Sequence, residues 1–174
     1  MTLAAVIKFV LSNLPSILFI LAIAIAAVRR QPQAVAERYL AWLLLFSVGV
    51  ENVWAGVFHI FFPQTAASFI GWSVSPFQFE VGVADTAIGL VAIASFWRSL
   101  EFKSAVVAYI ILFYLGVAII HVHEAMVAEN FSPGNFGMLL LLTVTKVVLL
   151  TILLRAAWRA RAGLDRSQGL SSAE

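Results

Sequence analysis

Residues Phe136 to Ala157 read FGMLLLLTVTKVVLLTILLRAA, with Lys146 the only charge before Arg155. A helix rises 1.5 Å per residue and needs about 20 mostly apolar residues to cross a hydrocarbon core about 30 Å thick. This stretch has that length. It lacks the polar and apolar alternation of a barrel strand, so it reads as a transmembrane helix. Four more runs qualify on the same grounds: Leu3 to Val28, Val35 to Phe62, Phe77 to Trp97 and Phe102 to Glu124. The first, interrupted by Asn13 and Pro15, suggests a kinked helix. Ala24 to Ala27 would suit a cleavage site, but the run exceeds the 7–15 apolar residues, roughly, of a secretory signal. The expectation is an all-α, five-helix transmembrane bundle, with residues 1–162 as a single domain and 163–174 as a short, frayed cytoplasmic tail.

The whole composition agrees. Of 174 residues, 62% are hydrophobic and 11% charged, and mean hydropathy is +0.98. A soluble domain carries about 25% charged residues, so a water-facing surface is excluded. The lipid bilayer is the expected partner, and no nucleic acid is. Absence of cysteine removes disulfides, thiolate metal sites and thiol redox chemistry. No nucleophile motif, phosphate loop or dinucleotide fingerprint is present.

Between the second and third runs, Pro63 to Pro76 reads as an interfacial segment anchored by Phe69, Ile70 and Trp72. Asn130 to Asn135, with Pro133 and Gly134, reads as a turn. Trp42, Trp54, Trp72, Trp97 and Trp158 mostly fall near run ends, as an interfacial belt does. Basic residues alternate between connections. Arg29, Arg30 and Arg38 lie in the first, Arg98 and Lys103 in the third, and Arg155, Arg159, Arg161 and Arg166 at the C-terminal end, with none in the second or fourth. The positive-inside rule then puts the N-terminus outside and the C-terminus in the cytoplasm.

Several ionisable residues remain inside the runs: Lys8, Glu51, His59, Glu80, Asp85, His121, His123, Glu124 and Lys146. Each charge at membrane depth costs about 2.5–3.5 kcal/mol on insertion scales, so such groups face the bundle interior and pair. Counting inward from the outer ends puts Glu51, Asp85 and Lys146 about 13–17 Å deep and His59, Glu80, His121 and Glu124 within about 7 Å of the boundary. Lys8 is close enough to its helix end to snorkel.

Helical spacing groups them further. Asn52 and His59 share one stripe; Gln78, Gly82, Asp85 and Gly89 share another, where small residues would let a second helix approach. His121 and Glu124 are neighbours, with His123 pointing elsewhere, and Asn135 shares a face with Lys146. The deeper layer, Glu51, Asn52, Gln78, Asp85 and Lys146, is a candidate ligand site. Two carboxylates against one ammonium leave a charge uncompensated, so one carboxyl is expected to hold a proton. A structural ion pair holding three helices in register is the plainer alternative.

The outer layer, His59, Glu80, His121 and Glu124, has the donor types of a transition-metal site. Its His-x-x-Glu order reverses the di-iron bundle pattern. Interfacial hydrogen bonding accounts for the histidines equally well, and two histidines on different helices could instead ligate a b-type haem.

From Gly49 to Ala94 the chain resembles small bacterial DoxX-like membrane proteins. The resemblance rests on Gly56, His59 and Pro63 in Gly-Val-Phe-His-Ile-Phe-Phe-Pro, and on Gly82, Asp85 and Gly89. Asp85 stands where that family usually has glutamate, and the family core has four helices. Phe77 to Gly82 and Pro133 to Asn135 also look like an uncharacterised family of polytopic bacterial membrane proteins. The resemblance implies a bacterial inner membrane and, for some members, quinone-linked or redox complexes. Three functions are therefore expected: binding or transport of a metal ion, proton or small polar ligand; an accessory subunit, or homo-oligomer, within a membrane complex; or a metal-dependent membrane enzyme.

Overall fold

A computed structural model describes the backbone of residues 3–29 and 34–171 and the side chains of 12–29 and 34–164. The described residues are all helix and connection, without strands. Six helices follow in order: α1 (Leu3–Val28), α2 (Val35–Phe61), α3 (Pro63–Ile70), α4 (Pro76–Ser95), α5 (Leu100–Val127) and α6 (Met138–Ser171). Helices α2, α4, α5 and α6 are each long and apolar enough to cross a membrane, and α1 adds the shorter apolar length Ser12–Val28. Large apolar side chains such as Leu112, Ile119 and Leu141 stand exposed along their outer faces. That surface suits lipid and would be costly in water.

Local chemistry explains the boundaries. Pro63 and Pro76 each stand in the first turn of a helix, where the missing N–H is not needed. The first part of the segment expected to be interfacial is a helix, α3, ended by Gly71 at φ 82°, a left-handed cap that glycine adopts without strain. Ser99 caps α5, its hydroxyl accepting from the Phe102 N–H at 3.5 Å. Helix α1 runs through Pro15. Helix α6 differs most from expectation: it starts after Gly137 and continues to Ser171, so residues 163–171 are helical, not frayed. Arginine, alanine, leucine and glutamine, all good helix formers, supply six of residues 161–171 and carry the helix through Gly163 and Gly169. Arg30 and the side chains of Lys8 and Arg166 lie outside the described residues.

Helix α2 is the centre of the bundle, 56% buried over its spanning stretch against 22–33% for the other three. It packs against α1, α4 and α6, and its Leu40, Leu43, Leu44 and Val48 meet Ile88, Val107, Ile110 and Leu150 in one core. Its middle, Leu43–Val50, is π-helical, with the Glu51 N–H reaching back five residues to the Phe46 carbonyl. Such widened turns re-aim the groups that follow them and occur often at functional sites.

Helices α2 and α4 meet along a glycine seam. Gly49 faces Gly89 and Gly56 faces Gly82, the two pairs seven residues apart on each helix. A Cβ at Gly89 would sit 2.7 Å from both the Gly49 carbonyl oxygen and the Val53 nitrogen. The stripe of Gly82, Asp85 and Gly89 does admit a close partner, and the partner is α2.

The end bearing most of the arginines is tied by polar contacts. Arg161 donates to Glu101 at 2.5 Å and Trp158 to Ser104 at 2.9 Å. Lys103, read from the sequence as a loop charge, is buried instead. Its Nζ pairs with Glu37 at 3.4 Å and donates to the Arg98 carbonyl. A basic residue in the first turn of α5 can curl back to that connection while its stem stays among apolar neighbours.

Candidate functional site: a buried charged cluster on three helices

Just beyond the π-helical turns, Glu51 projects from α2 and meets Lys146 of α6, Nζ to Oε1, at 2.6 Å. Both side chains are buried. The ammonium also donates to the Ser47 carbonyl at 3.3 Å and lies 4.9 Å from the centre of the Tyr114 ring. Asn52 donates to the Val48 carbonyl at 2.7 Å and to the Tyr114 hydroxyl at 2.8 Å. The π-helical segment thus offers two carbonyls, Ser47 and Val48, to side chains of the site.

Asp85 comes from the glycine stripe of α4, is buried, and lies within electrostatic reach of Glu51. Two groups of this cluster have no hydrogen-bond partner among the described residues: the second oxygen of Glu51, Oε2, and the Ser47 hydroxyl, both enclosed. A buried charged oxygen left unsatisfied costs more than about 1–3 kcal/mol. The hydrogen bonding of the cluster is therefore incomplete among the described residues.

Of the deeper-layer residues, Glu51, Asn52, Asp85 and Lys146 come together. Gln78 does not: its amide donates to the Pro63 carbonyl at 2.7 Å and fastens the start of α4 to the start of α3. Tyr114 was missed. It stands seven residues before His121, so both fall on one face of α5, and that spacing was a usable signal.

The outer residues are placed differently from a metal site. Among the described residues, no three His, Asp or Glu side chains gather as a metal ion needs. Glu80 is exposed on α4. Glu124 turns towards His123, 4.0 Å from its Nδ1, so the neighbour expected to point away is the one it faces. His121 is held by Asn135, Nδ1 to Oδ1 at 2.6 Å, and stacks on Trp72 with ring centres 5.6 Å apart. His59 lines a separate cavity whose walls do not include His121. The donor set therefore fits neither a transition metal nor an axial haem pair.

Asn135 belongs to a turn, not to the Lys146 face of α6. Its Nδ2 donates to the His121 carbonyl at 3.1 Å and to the Asn130 carbonyl at 2.7 Å. With both hydrogens used, Oδ1 is the acceptor and the His121 Nδ1–H the donor. Asn130 in turn donates to the Ile70 carbonyl at 3.0 Å, and the Gly134 N–H to the Phe69 carbonyl at 3.0 Å. This latch fixes α3 against the α5–α6 connection. Asn135→Ala should cost about 1–3 kcal/mol, since buried partners are left unpaired. Thermal unfolding in detergent measures it, and an unchanged midpoint would show that the latch carries no weight.

These features define a polytopic helical membrane protein with a buried charged cluster on its central helices. The chain belongs to the family of unknown function DUF6790, which matches residues 12–163. No curated protein and no solved structure matches it.

Proposed function

We propose that the chain is a membrane-embedded proton-binding protein with a transport role, in which Glu51, Asp85 and Lys146 form the binding site. The observation that carries this reading is the half-satisfied carboxylate. Glu51 Oε1 takes the Lys146 ammonium, while Oε2 is enclosed without a hydrogen-bond partner among the described residues. Lys146 balances one carboxylate, and Asp85 adds a second acid on the neighbouring helix. One more positive charge completes the cluster.

The glycine seam favours a proton over a hydrated cation. At Gly56 even a methyl group would meet the Gly82 carbonyl oxygen at 2.6 Å, so the interface around Asp85 is tight. Ionisable groups inside a membrane mark functional sites by default. A buried ion pair is also a weak stabiliser compared with apolar side chains of the same size, so stability alone is a poor reason to keep one. Asn52 and Tyr114 orient the site.

A bacterial inner membrane, with the N-terminus outside, belongs to the same reading. It is supported by the alternating arginines and by the DoxX-like stretch. Infrared difference spectroscopy of the reconstituted protein tests proton binding. The expected result is a carboxylic-acid carbonyl band that changes with pH, shifts in deuterated water and is missing from Asp85→Asn. A spectrum with no such band at any pH would refute it.

A further inference from the structure

The outward side of α6 changes character towards its C-terminal end. Leu141, Val144, Val148 and Ile152 stand exposed along it. Arg155 and Arg159, also exposed, continue the same stripe in steps of three and four residues. Among the described residues neither of these guanidinium groups takes part in an ion pair. Arg161 differs, because it falls on another face of α6 and already meets Glu101 at 2.5 Å. The two uncompensated charges therefore point where the apolar side chains of α6 point, away from the bundle.

Their level follows from the helical rise. At 1.5 Å per residue, Arg155 and Arg159 lie about 26 and about 32 Å along α6 from Met138, so they straddle the far edge of a hydrocarbon core about 30 Å thick. Trp158, exposed between them, marks the same level, since tryptophan collects where acyl chains give way to headgroups. A guanidinium carries a planar fork of donors that matches two phosphate oxygens. Side chains four residues apart start about 5–6 Å from each other, so both forks can reach one phosphodiester.

We infer that Arg155 and Arg159 bind the phosphate of an anionic phospholipid, one of whose acyl chains lies along Val148 and Ile152. A zwitterionic lipid is disfavoured, because it brings an ammonium that competes for its own phosphate and is repelled by the two arginines. The stripe supplies the selectivity by joining apolar contact to both forks on one face. With this end of the bundle cytoplasmic, as proposed above, the lipid belongs to the inner leaflet. Binding in detergent is independent of that orientation and of proton binding at Glu51 and Asp85.

The test uses the full chain in detergent. It is stripped of lipid and titrated with phosphatidylglycerol or with phosphatidylcholine of identical chains, followed by native mass spectrometry. A basic side chain at an anionic lipid surface is worth about a fivefold gain in binding. The expected result is that the unaltered chain retains phosphatidylglycerol at least about tenfold better than phosphatidylcholine. Arg155→Gln and Arg159→Gln should each lower that preference, and the double variant should hold the two lipids equally. Arg161→Gln removes the same charge from another face and should leave the preference unchanged. Equal retention of the two lipids by the unaltered chain would overturn the proposal. So would an Arg161→Gln loss as large as that of Arg155→Gln, which would assign the effect to net charge. Displacement of phosphatidylglycerol by inorganic phosphate at equal concentration would also overturn it, in favour of a free anion.

Discussion

Replacing Lys146 with methionine should destabilise the protein by about 3–5 kcal/mol, the typical cost of leaving one member of a buried ion pair without the other. The ammonium makes the 2.6 Å contact to Glu51, donates to the Ser47 carbonyl and lies over Tyr114. Methionine keeps the bulk and offers none of these. Glu51→Met/Lys146→Met should return stability to within about 1 kcal/mol of the unaltered chain, because apolar residues of similar volume often replace a buried pair at no loss. Proton binding should stay lost in the double variant. Unfolding midpoints in detergent for the two single variants and the double variant measure the coupling. Simple addition of the single effects would mean that Glu51 and Lys146 do not act as a pair.

The second large effect is expected at the glycine seam. Gly89→Leu should cost about 3 kcal/mol, at the upper end of ordinary overpacking. The first atoms its Cβ meets include main-chain atoms, the Gly49 oxygen and the Val53 nitrogen, both at 2.7 Å. Main chain in mid-helix cannot turn aside as a flexible side chain would. α2 and α4 must then separate, carrying Asp85 away from Glu51. Gly116→Leu is the matched control, since nothing lies within 4 Å of a Cβ there, and an open surface position normally stays within about 0.5 kcal/mol. Equal midpoints for the two variants would show that the close approach of α2 and α4 is not required.

Much of this architecture was legible because transmembrane helices announce themselves by length and apolarity alone. Lone charges in such runs are conspicuous, so Glu51, Asp85 and Lys146 could be singled out without a structure. The direction of pairing could not. Lys146 joins Glu51, and the glycines at 49 and 56 take their partners from 89 and 82, through contacts between residues far apart in the chain. Tyr114 was hidden for another reason: a tyrosine in an apolar run reads as packing until its hydroxyl is seen to accept from Asn52. Lys103 was misread because a basic residue beside a connection normally reports topology, and here it is a buried partner of Glu37. His121 and Glu124 were neighbours by spacing, but a turn supplied Asn135 to one and His123 lay nearer the other. Helical angles rank neighbours on one helix and say nothing of what a turn brings in.

Proton movement across a sealed bilayer tests the central claim most directly. Purified protein is reconstituted into vesicles containing a pH-sensitive dye, and an outward potassium gradient with valinomycin drives positive charge inward. The account predicts that vesicles with the unaltered chain acidify faster than empty ones, and that Asp85→Asn and Glu51→Gln, inserted to the same level, fall back to the empty rate. Acidification by the unaltered chain no faster than by empty vesicles, or undiminished in both variants, would contradict it.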